Sequence, residues 1–111
     1  MRIPVAAFLM FSAVAALAAE TPLRIPSDAK AQYFVLEKGG TKNNPTMITK
    51  RVGPSGTSYS QRIFDCSLGT AKYLGTGASI DAMKKSPPDP KMGPLVEGSI
   101  AWYQWRYACG K

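Results

Sequence analysis

The chain offers little that can do covalent or metal chemistry. Cys66 and Cys109 are the only thiols among its 111 residues, and it contains no histidine. Without imidazole it lacks the usual general base near neutral pH and the commonest metal ligand. The seven acidic residues are scattered, with no D-x-D or E-x-x-E pair. A pair such as Asp65 with Glu37 can meet only through folding, and surface or capping roles are the plainer expectation for both. If the two cysteines join, no thiolate nucleophile or zinc ligand set remains. The expectation is therefore a chain with no catalytic residue, no metal site and no cofactor.

Two glycine stretches have the outline of phosphate or nucleophile loops. Tyr73-Leu-Gly75-Thr-Gly77-Ala-Ser79-Ile80 begins like a dinucleotide fingerprint. Ile80 stands where the third glycine belongs, and the chain is too small for the parallel fold that loop serves. It reads as a strand-to-helix turn. Gly53-Pro-Ser55-Gly56 lacks the spacing of a phosphate loop, and no histidine exists to activate Ser55. It reads as a tight turn.

Recognition is the chemistry that remains. Trp, Tyr and Arg dominate binding hot spots, and they cluster in Trp102-Tyr103-Gln-Trp105-Arg106-Tyr107. The competing expectation puts Trp102 and Trp105 in the core beside the disulfide, with Tyr103 and Tyr107 turned outward. With them, Arg106, Lys50, Arg51 and Arg62 are the candidate partner contacts. The 14 Lys and Arg exceed the 7 Asp and Glu, giving a net charge of +7. That surplus favours anionic partners such as an acidic protein patch or an acidic glycan. No run of five or six basic residues occurs, so specific nucleic-acid binding is not expected, and a charge that merely keeps the protein dispersed is the bland alternative.

The amino terminus bears on where these residues work. Met1-Arg2 precedes an apolar run through Leu17, then the small Ala16-Leu-Ala18-Ala19 and the polar Glu20-Thr21-Pro22. This is the layout of a secretory signal peptide over residues 1–19. The run falls short of the ~20 apolar residues that span a bilayer, so no transmembrane segment is expected in the mature chain. Its removal leaves about 92 residues, one small domain. Export delivers the thiols to an oxidising compartment, where an even count reads as a Cys66–Cys109 bridge rather than two buried thiols. Closing that long loop stabilises the fold by roughly 4 kcal/mol.

The positioning elements follow from pattern. Residues 20–30, with two prolines, read as an extended lead-in to a single domain over 31–111. Residues 31–37, 46–52, 57–66 and 70–74 are rich in β-formers or alternate, and short loops between them favour an antiparallel meander. Ser79 caps a helix over 80–85 that Pro87-Pro88 stops, and 91–98 reads as an irregular connection. Residues 100–109 fit helix or strand. Ser99 before them and Gly110 after them favour a helix laying Ala101, Trp102, Trp105, Ala108 and Cys109 on the sheet. The fold expected is α+β: a small antiparallel sheet of three to four strands, covered on one side by a C-terminal helix and bound by one disulfide.

Arg62-Ile-Phe-Asp-Cys66, the following Lys72-Tyr-Leu, and the Gly98-Ser-Ile opening of a segment that closes on Ala-Cys109 resemble the surface-adhesin protein E-like domains of Gram-negative bacteria. The resemblance spans roughly residues 57–110. It implies a small exported α+β protein with one such disulfide, and faintly an adhesive role towards host proteins. No binding residue carries over from it. The expected function is a non-enzymatic binding module of the periplasm or outer surface that contacts an acidic protein or glycan. The alternative is an accessory envelope protein whose charge is incidental.

Overall fold

The computed structural model describes residues 20–111. The segment read as a signal peptide, residues 1–19, lies outside the described residues. Among the described residues, no helix is long and apolar enough to cross a membrane.

The sheet has six antiparallel strands in chain order, not three to four: β1 (Thr21–Leu23), β2 (Gln32–Gly40), β3 (Pro45–Gly53), β4 (Gly56–Asp65), β5 (Thr70–Gly77) and β6 (Gly93–Pro94). Strands β2 to β5 are the four expected, lengthened at their ends. The two additions come from the stretch read as an extended lead-in, residues 20–30, and from the connection read as irregular, residues 91–98. Each is two or three residues long and contains a proline, which removes a ladder donor and restricts it to a sheet edge. Both lie at the edges: Pro22 is opposite Phe34 on β2, and Pro94 opposite Thr70 on β5. A 3-10 turn (Pro26–Asp28) joins β1 to β2 and carries the buried Ile25 at its start.

Two helices cover opposite faces of this sheet, where cover on one side was expected. Helix α1 (Ile80–Lys85) is capped by the Ser79 hydroxyl, which accepts from the Ala82 N–H at 3.1 Å. It packs on β5 at Gly75 and Gly77, which pair with Gln61 and Tyr59 of β4. A Cβ on Gly75 would lie 2.2 Å from the Met83 carbonyl oxygen, so the helix approaches this closely only because the residue is glycine. The glycine pair is thus neither a phosphate loop nor a turn. It belongs to the strand itself.

Helix α2 (Ile100–Cys109) covers the other face. The Ser99 hydroxyl accepts from the Trp102 N–H at 3.2 Å, and Gly110 ends the helix at φ +70°, a left-handed cap that glycine adopts freely. Between α2 and the sheet lies the core of Val35, Met47, Phe64 and Ala108, with Leu23, Ala71, Trp105 and Cys109 packed around it. The Cys66–Cys109 disulfide ties the end of β4 to the end of α2, across a sequence separation of 43.

The helix is rolled relative to the expected face. Its buried residues are Gln104 and Ala108, four apart and so on one side of the cylinder. Trp105 joins the core, with its indole N–H donating to the Asp65 carbonyl at 3.2 Å. Trp102 does not. Its ring meets the edge of Tyr103 with 5.0 Å between centroids, and the Arg106 guanidinium lies 4.9 Å over it.

Candidate functional site

A six-stranded sheet is longer than α2 can cover. The helix closes over Val35, Met47 and Phe64, and leaves the neighbouring stretch of the same face open. Register places Tyr33 beside Arg51, Arg51 beside Ser58, Ser60 beside Thr76 and Arg62 beside Tyr73. These residues floor a cleft of about 410 Å³, walled at one side by Ile100 and Gln104 from the start of α2. A bulge makes the arrangement possible. Gln61 pairs with Gly75 but Arg62 with Tyr73, so Leu74 is an extra residue that turns Tyr73 towards Arg62.

Arg62 is held on two sides. Its Nη1 donates to Gln104 Oε1 at 2.7 Å, and its guanidinium lies 4.2 Å from the centroid of the Tyr73 ring. Gln104 is itself only 2% exposed, and its Nε2 donates to the hydroxyl of the buried Thr49, which lies 3.1 Å from the Ser60 hydroxyl. A buried amide aimed at one arginine fixes that arginine in place. Among the described residues no carboxylate ion-pairs with Arg62.

Arg51, at the other end of the cleft, is neutralised. Its Nε lies 2.8 Å from Asp28 Oδ2, and the Tyr33 hydroxyl donates to the same oxygen at 2.7 Å. The Arg51 hydrogen bond, then that of Tyr33, holds the Asp28 carboxyl below its ordinary range. Burial, then the bond to Asp28, pushes the Tyr33 phenol up to about 12. The cleft therefore presents one uncompensated cation, Arg62.

The six residues expected to contact a partner divide three ways. Arg51 and Arg62 share the cleft. Arg106 and Tyr107 are exposed on α2, where Lys38 sits 5.3 Å over the Tyr107 ring, and Tyr103 is half-buried against Trp102. Lys50 is on the α1 face of the sheet, bound to Glu20 at 2.7 Å and 5.1 Å over the Phe34 ring. Lys50 and Arg51 are adjacent in sequence but point to opposite faces, so they form no basic patch. Asp65 turns out to be a turn cap: its Oδ1 accepts from the backbone N–H groups of Ser67 and Leu68 and from the Ser67 hydroxyl. Among the described residues no group of three His, Cys, Asp or Glu side chains is placed to hold a metal ion.

Gln104, Thr49, Ser60 and Tyr73 were not anticipated. Thr49 and Arg51 alternate on β3 as Ser60 and Arg62 do on β4, and this polar alternation on the covered face was the available signal.

A larger groove of about 610 Å³ runs along β1, the 3-10 turn and β2. It lies against a sheet edge, and its polar pair, Asp28 and Tyr33, is already tied to Arg51. The smaller cleft, whose Arg62 has no ion-pair partner among the described residues, is therefore the better candidate. Compared with known proteins, the chain matches no family model, no curated sequence and no solved structure.

Proposed function

We propose that the protein is an exported, non-enzymatic binding module of the envelope or cell surface of a Gram-negative bacterium, adhesin-like, that holds an acidic protein or glycan surface at the cleft beside α2. The observation that carries this reading is the state of Arg62: oriented by Gln104 and Tyr73, facing a cleft, with no carboxylate ion-paired to it among the described residues. An arginine fixed in this way has its orientation set before a ligand arrives, which lowers the entropic cost of binding. The overall positive charge adds long-range attraction for the same class of partner. Periplasmic or outer-surface residence accords with the disulfide.

Chromatography on immobilised heparin and on an immobilised acidic protein, each eluted with salt, tests the reading. Retention on at least one support at low salt, falling steeply towards physiological salt, is expected. Arg62→Gln should elute at markedly lower salt, corresponding to an affinity loss of about tenfold or more. Retention unchanged by Arg62→Gln would leave the charge incidental, as in the accessory-protein alternative.

A further inference from the structure

We infer that the ligand unit in this cleft is a singly charged acidic sugar, a uronate residue of an anionic glycan. The inference rests on the binding reading above and names its ligand class. The cleft floor is the face of three adjoining strands, β3, β4 and β5; β3 and β4 have ladder partners on both sides, and β5 is laddered to β4. An acidic peptide that binds by main-chain pairing needs a free sheet edge; the edge nearest here lies on β5 beyond Ala71, where β6 ends, and not on the floor. What it offers instead are hydroxyl groups, from Ser58, Ser60 and Thr76, each able to donate and to accept. That is the complement of a polyol.

The charge on the ligand follows from the two arginines. Arg51 is already matched by Asp28, whose carboxylate would repel a second negative charge nearby. Among the described residues that line the cleft, Arg62 alone is a cation without an anionic partner, so the cleft balances one negative charge. Nη1 of Arg62 is committed to Gln104 and the guanidinium plane lies against Tyr73. This leaves the Nε and Nη2 N–H groups, which among the described residues have no acceptor, as a planar fork. A carboxylate takes such a fork with two parallel bonds. At about 410 Å³ the cleft falls in the ~300–1,000 Å³ range of small-ligand sites, which is ample for a sugar ring.

The test is titration of the oxidised protein with oligogalacturonate, a neutral galactose oligomer, a sulfated galactan and oligoglutamate, followed by calorimetry and by the NMR signals of Arg62 Nε–H and the Gln104 side-chain amide. Oligogalacturonate should shift both signals, and the neutral oligomer should not. Oligoglutamate should bind about tenfold more weakly or worse. Arg62→Lys keeps the charge but loses the fork, and should weaken oligogalacturonate about tenfold. Thr76→Val, on the exposed part of the floor, should weaken oligogalacturonate several-fold more than it weakens oligoglutamate; this variant carries the test if Arg62 substitutions disturb folding. Oligoglutamate binding as tightly with the same shifts would overturn the sugar assignment while the acidic-partner reading stands. Tighter binding of the sulfated galactan would overturn the uronate in favour of a sulfate ester. If none of the three anions moves the two signals, both the inference and the reading beneath it fail.

Discussion

A guanidinium resting on a tyrosine ring can still swing about its long stem unless something holds its edge, and Gln104 does this for Arg62 at 2.7 Å. The arrangement is costly for the fold, because a 2%-exposed amide at a helix–sheet contact gives less than an apolar side chain of similar size would. Gln104→Leu nevertheless strips a partner from Arg62 and from the buried Thr49 hydroxyl, so it should lower stability by about 1–3 kcal/mol, offset in part by the gained apolar contact. Its affinity for anions should fall about tenfold. Gln104→Glu should abolish binding outright, because its carboxylate occupies Arg62 internally. Thermal unfolding and a binding titration on both variants check this. Arg62 was legible as a contact candidate, but Gln104 was not. Large apolar side chains stand all round α2, at Trp102, Tyr103, Trp105 and Tyr107, so hydrophobicity alone leaves the roll of the helix undetermined. The polar residue between the tryptophans was free to take the inward position.

The same scale governs the Tyr33–Asp28–Arg51 group, which joins the 3-10 turn to the sheet. The Asp28 carboxyl is lowered by Arg51 and Tyr33, so its contribution is present above its unfolded value of 3.8 and is lost as the pH falls through the lower folded value. The Tyr33 phenol runs the opposite way. Raised from 10.0 to about 12 by burial and then by Asp28, it favours the folded state below pH 10 and loses that contribution as the pH climbs from 10 towards 12. A plot of Tm against pH should fall in that alkaline window for the parent. Tyr33→Phe, which keeps the ring and removes the proton, should flatten this limb and leave the acid limb largely in place.

At the scale of elements, α1 is seated on β5 through glycine. Adding a single methyl at Gly75 would place it 2.2 Å from the Met83 carbonyl oxygen, a backbone atom that cannot rotate away. Gly75→Ala should destabilise the protein by about 1–3 kcal/mol, at the upper end because the helix itself must shift. Denaturant unfolding measures this, and anion binding on the opposite face should change far less. The helix and the strand were each readable, α1 from Ser79, Asp81 and the late lysines, β5 from its β-formers. Their mutual approach was not, since the Gly75-Thr-Gly77 spacing also suits a loop. The edge strands β1 and β6 escaped notice for a different reason. Their prolines forbid the pattern by which a strand is recognised, while permitting the edge position they occupy.

For the molecule as a whole, strand order repeats chain order, so the sheet is assembled from neighbouring hairpins and needs no long-range closure. Helix α2 is the exception. From β6 the chain must return to the face opposite α1, and the C-terminal end of α2 is fixed there by Cys66–Cys109. For a separation of 43 residues the loop-entropy account gives about 4 kcal/mol of stabilisation, a large share of the ~5–15 kcal/mol typical of a whole domain. Because the bridge restrains the helix rather than the hairpins, its loss should fall unevenly. Cys66→Ser together with Cys109→Ser should lower stability by about 4 kcal/mol. In mild denaturant the variant should lose α2 contacts before the sheet. Both tryptophans of the chain, Trp102 and Trp105, are on α2, so their fluorescence reports that helix while far-ultraviolet circular dichroism follows the strands. The two signals should coincide in the oxidised parent and separate in the variant. Anion binding should track the tryptophan signal, because Gln104 leaves the cleft with the helix. Coincident transitions in the variant would mean that α2 and the sheet hold together without the bridge.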